Sequence, residues 1–377
     1  MISSAMTDAA ILVPPPMTLP APSSLLIPLQ VLTFFAHLLL VNILLGSVLL
    51  AVLDRRSAAT EEKNGVAFMP KILALAVNFG IAPFLFLQVL YGNYLYPGIL
   101  LMAVWWMSIV MAVMLAYYGL YISDGAIRTS RRSAVLIPVA LLLMGTAFLL
   151  TSASTLMERP DQWWRWFQEP YGLILNTGDA TLLPRYLHII LASLAVGGLT
   201  MAWRAEWSLR CPGVDREKAL HRRRRGLTWF FHVSLAQIAA GLLFLFTLPG
   251  ETRSMLTGGD LLFTAALLLA LAGLAAALFL ARRERLGPAS LVTAGIILVM
   301  VCIRAMLREA LLRPYHPSPA ASPSTALAMP HGQTAALTMF LICAVLIVPV
   351  LLWLARVVLR AFRNSPGTIS PLGKEEN

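Results

Sequence analysis

The stretch from Ile27 to Leu53 reads IPLQVLTFFAHLLLVNILLGSVLLAVL and carries no acidic or basic charge. Because a helix rises about 1.5 Å per residue, this stretch is long enough to cross the roughly 30 Å hydrocarbon core of a bilayer. One histidine, His37, lies near its middle. An ionisable side chain at that depth is costly unless it has a partner, and neutral imidazole is a common ligand of haem iron. The stretch therefore predicts a membrane-spanning helix with a candidate haem ligand.

The rest of the 377-residue chain has the same apolar character. Hydrophobic residues make up 58% of it and charged residues 12%, which is about half the charged fraction of a typical soluble domain. Nine stretches are long and apolar enough to span a membrane: 26–53, 70–92, 97–122, 134–153, 182–203, 226–248, 260–281, 289–310 and 335–359. The sequence predicts an all-α integral membrane protein of about nine transmembrane helices.

One membrane domain, residues 26–360, accounts for most of the chain. Residues 1–25 are rich in Pro and Ser and contain no basic residue, so we expect a disordered tail rather than a cleaved signal peptide. Residues 361–377 predict a second disordered tail with basic residues. Small residues within the helices, such as Gly197 and Gly198, are expected to permit close helix packing.

The net charge of +11 raises the question of a nucleic-acid partner, and the distribution of the charge excludes it. Most of the 29 basic residues fall on one side of the predicted spans, including the run Arg222–Arg225. This asymmetry predicts a periplasmic N-terminus and a cytoplasmic C-terminus in a bacterial inner membrane. The arginine run is then expected to contact lipid headgroups. The three cysteines indicate no disulfide framework. The sequence contains no C-x-x-C-H motif, so covalently attached haem is not expected.

Three of the six histidines fall within predicted spans. His188 lies near the outer end of the fifth span, and His232 lies near the inner end of the sixth. Measured from the span ends, His37 and His188 differ in depth by about 8 Å, so we expect separate haem sites rather than one shared iron. The alternative for each is a hydrogen bond between helices. For His232 the position favours a headgroup contact.

Three arginines near the outer ends of spans are the other costly charges. Arg185 lies one helical turn outward from the histidine of the fifth span and is expected to meet a haem propionate. Arg304 and Arg308, in the eighth span, could hold propionates, pair with Glu309 or Asp260, or extend outward to water. No acidic residue lies in the middle of a span, so the chain is poorly equipped for proton-coupled oxygen reduction.

Two predicted outer loops differ in character. The loop from Ser154 to Thr181 contains DQWWRWF at Asp161–Phe167, which predicts a short helix in the headgroup region. A docking surface for a periplasmic partner is the alternative. The loop from Leu312 to Thr334 is rich in Pro, Ala and Ser, and its two histidines, His316 and His331, are expected to be solvated.

Three stretches of the sequence form a further pattern. Leu29–Gly46 contains a histidine, an apolar stretch and a glycine, Asn78–Gly80 is followed by Gln88–Tyr94, and Arg185–His188 lies in the fifth span. In this order they resemble the first, second and fifth helices of cytochrome bd oxidase subunit I. The nine-span topology of the family agrees as well.

The resemblance implies one or two non-covalent b haems. By it, His37 matches the high-spin haem ligand and His188 matches a low-spin haem b ligand. The departures are also specific. The third span lacks the family's glutamate pair, the eighth offers Arg304 instead of a glutamate, and the seventh has no methionine. The quinol-binding loop is reduced to Pro249–Gly259. The resemblance therefore implies a divergent relative that does not itself reduce oxygen.

The sequence thus predicts a haem b-binding electron-transfer subunit of a respiratory complex, at most a subunit of an oxidoreductase. His37 and His188 would bind iron, and Arg185 and Arg304 would contact propionates. Expected partners are the lipid bilayer and a periplasmic c-type cytochrome or quinol, with a second membrane subunit or a homodimer left open. The alternative is a cofactor-poor scaffold subunit. A secondary transporter is disfavoured, because no pair of broken helices with a buried charge stands out.

Overall fold

The computed structural model describes residues 11–53, 67–125 and 129–316, together with single positions between 335 and 356. Eight long helices occur in the described residues, and no strand does. They are α1 (Ser23–Leu53), α2 (Met69–Leu101), α3 (Ala103–Gly125), α4 (Thr129–Glu158), α5 (Leu182–Ser208), α6 (Arg216–Thr247), α7 (Leu261–Arg282) and α8 (Leu286–Leu312). Each contains a segment long and apolar enough to cross a membrane. The prediction of an all-α, multi-pass membrane protein is confirmed.

The ninth predicted span, 335–359, lies mostly outside the described residues. The single positions described there, such as Met339 and Val350, are helical and exposed. They belong to a separate unit made of residues 18–23 and 324–377. Of the two predicted tails, 361–377 and the first ten residues also lie outside the described residues.

The described connections range from the single residue Met102, between α2 and α3, to residues 159–181, between α4 and α5. A 3₁₀ helix, Pro160–Phe167, lies between α4 and α5. We call residues 159–181 and the helix termini beside them the tryptophan end. We call the opposite terminus, where α5 is joined to α6, the Arg223 end.

The second and third spans begin and end differently from the prediction. Pro97 was expected to begin the third span, but α2 continues to Leu101. The chain departs from helical geometry at Tyr91, where φ is −134° and ψ is 25°. A local break of this kind re-aims a helix without ending it. Tyr91 and Tyr94 are thereby buried at the tryptophan end, in an apolar cluster with Trp163.

Helix α5 packs backbone to backbone against two neighbours. A Cβ added at Gly197 would lie 2.5 Å from the carbonyl carbon of Gly46 on α1. A Cβ at Gly198 would lie 2.7 Å from the carbonyl oxygen of Gly226 on α6. Such contacts are closer than side chains allow, so the predicted role of Gly197 and Gly198 in close packing is confirmed.

The Arg223 end is held by ion pairs between helices. Arg223 on α6 pairs with Glu206 on α5 at 2.9 Å and with Glu284, between α7 and α8, at 3.1 Å. Its side chain is only 17% exposed, whereas that of its neighbour Arg224 is 69% exposed. The predicted headgroup contact therefore does not describe the whole arginine run, because Arg223 is directed at the protein's own carboxylates.

Candidate functional site

His37 on α1 is directed at α2. Its Nδ1 lies 2.8 Å from the carbonyl oxygen of Ala76. Because a carbonyl can only accept, Nδ1 carries the proton and Nε2 keeps its lone pair. The ring packs on Gly80, where an added Cβ would lie 2.9 Å from the ring carbon Cε1. Gly80 belongs to the second-helix motif quoted above, and its missing side chain gives the imidazole its position.

His188 on α5 is directed at α6. Its Nε2 lies 3.4 Å from the side-chain amide nitrogen of Gln237, and a Cβ added at Gly241 would lie 3.3 Å from its Cε1. Its Nδ1 is buried and has no hydrogen-bond partner among the described residues. A buried polar atom without a partner is uncommon and costs stability, so this nitrogen is a candidate for binding something else.

The two histidines lie at about the same depth. Ser193 on α5 donates a hydrogen bond of 2.7 Å to Asn42 on α1, and Gly46 meets Gly197 one turn further on. The two helices therefore run in the same direction, and each histidine lies five residues before the hydrogen-bonded pair. The predicted depth difference of about 8 Å is wrong, because close glycine packing, not the span ends, sets the levels. The rings nevertheless face different helices, α2 and α6, as separate sites require.

Arg185 forms a buried ion pair within the bundle. Its Nη1 lies 2.6 Å from Glu158 at the end of α4, and the two side chains are 12% and 4% exposed. The guanidinium also lies over the ring of Phe244, 5.3 Å from its centroid. Its Nε has no hydrogen-bond partner among the described residues. Arg185 thus meets a carboxylate of the protein and retains one unused donor.

Arg304 connects this ion pair to the first histidine. Its Nη2 donates to the hydroxyl of Ser154 at 3.0 Å, and that hydroxyl donates to Glu158 at 3.3 Å. The other face of the guanidinium lies 4.9 Å from the ring centroid of Phe34, which is 6.2 Å from that of His37. The network therefore extends from His37 to Arg185, which lies one turn before the second histidine.

Arg308 is buried, and within the part of the chain that the structure describes it forms no ion pair with Glu309 or Asp260. It is 4% exposed, lies 5.0 Å from the ring centroid of Tyr91, and has an Nη1 without a hydrogen-bond partner among the described residues. Glu309 instead accepts a hydrogen bond from Tyr91 and pairs with His316 at 3.1 Å. Asp260 accepts hydrogen bonds from the first turn of α7. Of the alternatives left open for Arg308, extension outward to water also does not fit this burial.

The remaining histidines have plainer surroundings. His232 is exposed on α6, and its Nδ1 lies 2.9 Å from the carbonyl oxygen of Thr228 on the same helix. His316, expected to be only solvated, is hydrogen-bonded to Tyr94 as well as to Glu309. His331 lies outside the described residues.

The short helix predicted at Asp161–Phe167 is present as the 3₁₀ helix of the tryptophan end. Trp163 is 4% exposed and donates to the carbonyl of Leu156 at 2.8 Å, whereas Trp164 is 49% exposed. Arg159 holds the segment by ion pairs to Asp161 at 2.9 Å and Asp179 at 3.0 Å. One tryptophan therefore anchors the segment to α4 and a second remains available to a headgroup or a partner.

The charges of this segment stabilise one another. Burial opposes ionisation of Asp161, but the hydrogen bonds that it accepts from Arg159, Gln162 and Tyr315 lower its pKa from 3.8 to about 2. The same hydrogen bonding raises the pKa of Arg159 above its ordinary value. Both groups therefore remain charged over the physiological pH range.

A small cleft lies between the tryptophan end and α5. It measures about 20 Å³. The lining residues are Thr155, Glu158, Arg159, Asp179, Thr181, Arg185, Pro249 and Leu311. Such a volume accommodates about one water molecule.

Glu158 is the member of the site that the sequence did not single out. The fourth span was expected to end at residue 153, but α4 continues to Glu158. Thr151, Thr155 and Glu158 recur at intervals of four and three residues, which is the helical period. This spacing was the signal that would have extended the helix and placed the carboxylate inside it.

Comparison with known proteins adds no relative to this picture. No family model matches the chain, and no curated protein matches it in sequence.

Proposed function

We propose that this chain is a haem b-binding electron-transfer subunit of the bacterial inner membrane, with His37 and His188 as iron ligands. The observation that carries the proposal is the hydrogen bond from His37 Nδ1 to the carbonyl of Ala76. Histidines that bind metals usually donate their second nitrogen in this way, which leaves Nε2 with its lone pair for iron. Haem, when bound, supplies reversible one-electron transfer.

The residues around the histidines fit parts of such a cofactor. Ala76 fixes the tautomer of His37, and Gly80 leaves the ring room to lie against α2. Arg185 and Arg304 would neutralise propionates near the tryptophan end. At the second site, the amide nitrogen of Gln237 can only donate, so Nε2 of His188 accepts and the buried Nδ1 carries the proton; an iron at His188 would therefore require the ring to give up the Gln237 contact.

The two ligands are not equally supported. The ring of His188 lies between the packed helices α5 and α6, against Gly241. Because the ring also contacts Gln237 on α6, a haem at His188 requires α5 and α6 to separate. His37 is half-buried between α1 and α2 and carries the freed lone pair, so it is the stronger candidate.

The proposed orientation places the tryptophan end in the periplasm and the Arg223 end in the cytoplasm, by the asymmetry of the basic residues. The arginines that would hold propionates lie near the tryptophan end. Electrons would therefore be exchanged there, with a periplasmic c-type cytochrome or with quinol. Oxygen reduction is not proposed, because Glu158 is neutralised by Arg185 at a helix end.

The direct test is a reduced-minus-oxidised visible spectrum with a pyridine haemochrome assay on purified protein. We expect stoichiometric haem b in the wild type and its loss from the first site in His37→Ala. His188→Ala tests the second site in the same way. His232→Ala is the matched control, because that ring is exposed and hydrogen-bonded to Thr228 of its own helix, and it should retain full haem. Full haem in His37→Ala would remove that residue from the ligand set.

A cofactor-poor scaffold subunit is the second candidate. The observation that favours it is the tight fit of His188 against Gly241 and Gln237, which leaves no room for a porphyrin beside that ring. A folded wild-type preparation without haem, unchanged after incubation with haemin, would establish this alternative over electron transfer.

A further inference from the structure

Three arginines within the spanning helices form a cluster with too little negative charge around it. We call Arg185, Arg304 and Arg308 the arginine cluster. Glu158 serves it with both carboxylate oxygens: one meets Arg185, and the other accepts the hydroxyl of Ser154, to which Arg304 donates. Glu309 is exposed and engaged by Tyr91 and His316. The cluster therefore retains positive charge that Glu158 alone does not neutralise.

Each member of the cluster also has an unused donor. Nη1 of Arg308, Nε of Arg304 and Nε of Arg185 are buried and have no hydrogen-bond partner among the described residues. Arg308, at 4% exposure, has almost no access to water. A buried charge with an unsatisfied donor destabilises a protein strongly, so a structure that keeps it there indicates a missing partner.

We propose that the arginine cluster binds one oxyanionic group, a carboxylate or a phosphate, carried by an amphiphile dissolved in the membrane. Guanidinium groups match the planar oxygens of both anions and bind them by charge-assisted hydrogen bonds. The anion would take the free donor of Arg308 and join it to the network of Arg304.

The surroundings of the cluster indicate an amphiphile rather than a free ion. Each guanidinium has an aromatic ring on one face: Phe244 beside Arg185, Phe34 beside Arg304 and Tyr91 beside Arg308. Each ring covers one face of its guanidinium, so the unused N–H donors remain for a ligand at the edge of that group. The rings also present apolar surface to the body of the ligand. Arg304 and Arg308 lie eight and four residues before the end of α8, a helix long and apolar enough to cross a membrane.

Two sources supply this chemistry. One is the propionate of a bound haem, in which case the inference rests on the proposed function. The other is the phosphate of an anionic phospholipid, in which case it stands whether or not haem binds. Arg308, which the proposed haem contacts do not include, distinguishes this cluster from an arrangement that needs only Arg185 and Arg304.

The experiment compares wild type, Arg308→Gln and the control Arg313→Gln after delipidation in mild detergent. Arg313 is exposed and lies five residues further along the chain. Thermal unfolding and native mass spectrometry would follow the addition of phosphatidylglycerol, of zwitterionic phosphatidylcholine, of haemin and of inorganic phosphate, each separately. Haem content would be recorded in parallel by its spectrum, so that haem binding and anion binding are measured independently.

We expect the wild type and Arg313→Gln to retain one anionic amphiphile per chain and to be stabilised by it. Arg308→Gln should bind it at least about tenfold more weakly, since hydrogen bonds to charged groups are lost. Stabilisation by phosphatidylglycerol identifies a lipid phosphate, and stabilisation by haemin identifies a propionate. The proposal is overturned if the wild type responds to neither phosphatidylglycerol nor haemin, or responds equally to phosphatidylcholine or inorganic phosphate. It is also overturned if the wild type and Arg308→Gln behave alike. Haem binding without any effect of Arg308→Gln also overturns it while leaving the proposed function intact.

Discussion

At the scale of single residues, the pKa of the Asp161 carboxylate predicts how the stability of the protein depends on pH. Its folded pKa is about 2, below the ordinary 3.8, because accepted hydrogen bonds outweigh its burial. A lowered carboxylate pKa contributes stability that is complete above the unfolded pKa and is lost as pH falls through the folded one. The contribution should therefore be present above about pH 4 and disappear towards pH 2.

The corresponding variant is Asp161→Asn. It should lower the stability of the purified protein by about 1 kcal/mol at neutral pH, a modest figure because the partner Arg159 is partly exposed. The difference in Tm between wild type and variant, measured from pH 7 to pH 2, should shrink to zero at the acid end. Glu169→Gln is the control, since Glu169 is exposed in the same segment. A difference that is constant down to pH 2 would contradict the assignment.

Individual site residues could be predicted to different extents. His37 and His188 stand out because histidine is conspicuous in apolar sequence, whereas their environments are not visible there. The carbonyl of Ala76 is a backbone atom that every residue carries, so no sequence signal marks it as the acceptor for His37. Arg308 was recognised as a costly charge, but its burial on Tyr91 depends on the break in α2.

At the scale of helices, the close packing of α1 on α5 has a direct consequence. Gly197→Ala places a methyl group against the backbone of Gly46, which cannot move without separating the helices. For Gly145→Ala on α4, the added methyl group meets no atom of the described residues within 4 Å. The first should destabilise the protein by about 1–3 kcal/mol through overpacking. The second should be neutral or slightly stabilising, because Ala favours helix more than Gly by about 1 kcal/mol.

Thermal unfolding of both variants in one detergent measures the difference. The pair controls for helix propensity, since each exchanges glycine for alanine within a spanning helix. Equal Tm values for Gly197→Ala and Gly145→Ala would show that α1 and α5 do not meet at these glycines. The equal depth of His37 and His188 would then lose its basis as well.

The sequence indicates which stretches form spanning helices more readily than it indicates how far one helix is shifted along its neighbour. Uncharged stretches such as Ile27–Leu53 are long enough to define spans on their own. The level of one helix against another is set by contacts such as Ser193 with Asn42, which join residues 151 positions apart. Counting inward from span ends ignores these contacts, and it placed His37 and His188 about 8 Å apart in depth.

At the scale of the whole molecule, the two ends of the bundle are chemically unlike. The tryptophan end combines an anchored 3₁₀ helix, the arginine cluster and the network leading to His37. The Arg223 end is tied by pairs such as Arg223 with Glu206 and carries outward-facing arginines such as Arg224. The asymmetry of charge could be seen in the sequence, whereas the pairing of Arg223 with Glu206 on α5 and with Glu284 between α7 and α8 required the fold.

This asymmetry predicts which end faces the periplasm, and two cysteine positions test it. Cys211, exposed between α5 and α6, marks the Arg223 end, and Trp164→Cys marks the tryptophan end. Each is examined with the other cysteines replaced by serine. A membrane-impermeant maleimide applied to intact spheroplasts should label the cysteine at position 164 and should reach Cys211 only after permeabilisation, because basic segments remain in the cytoplasm. The reverse pattern would place the arginine cluster and the proposed electron exchange on the cytoplasmic side, where a periplasmic cytochrome could not reach them.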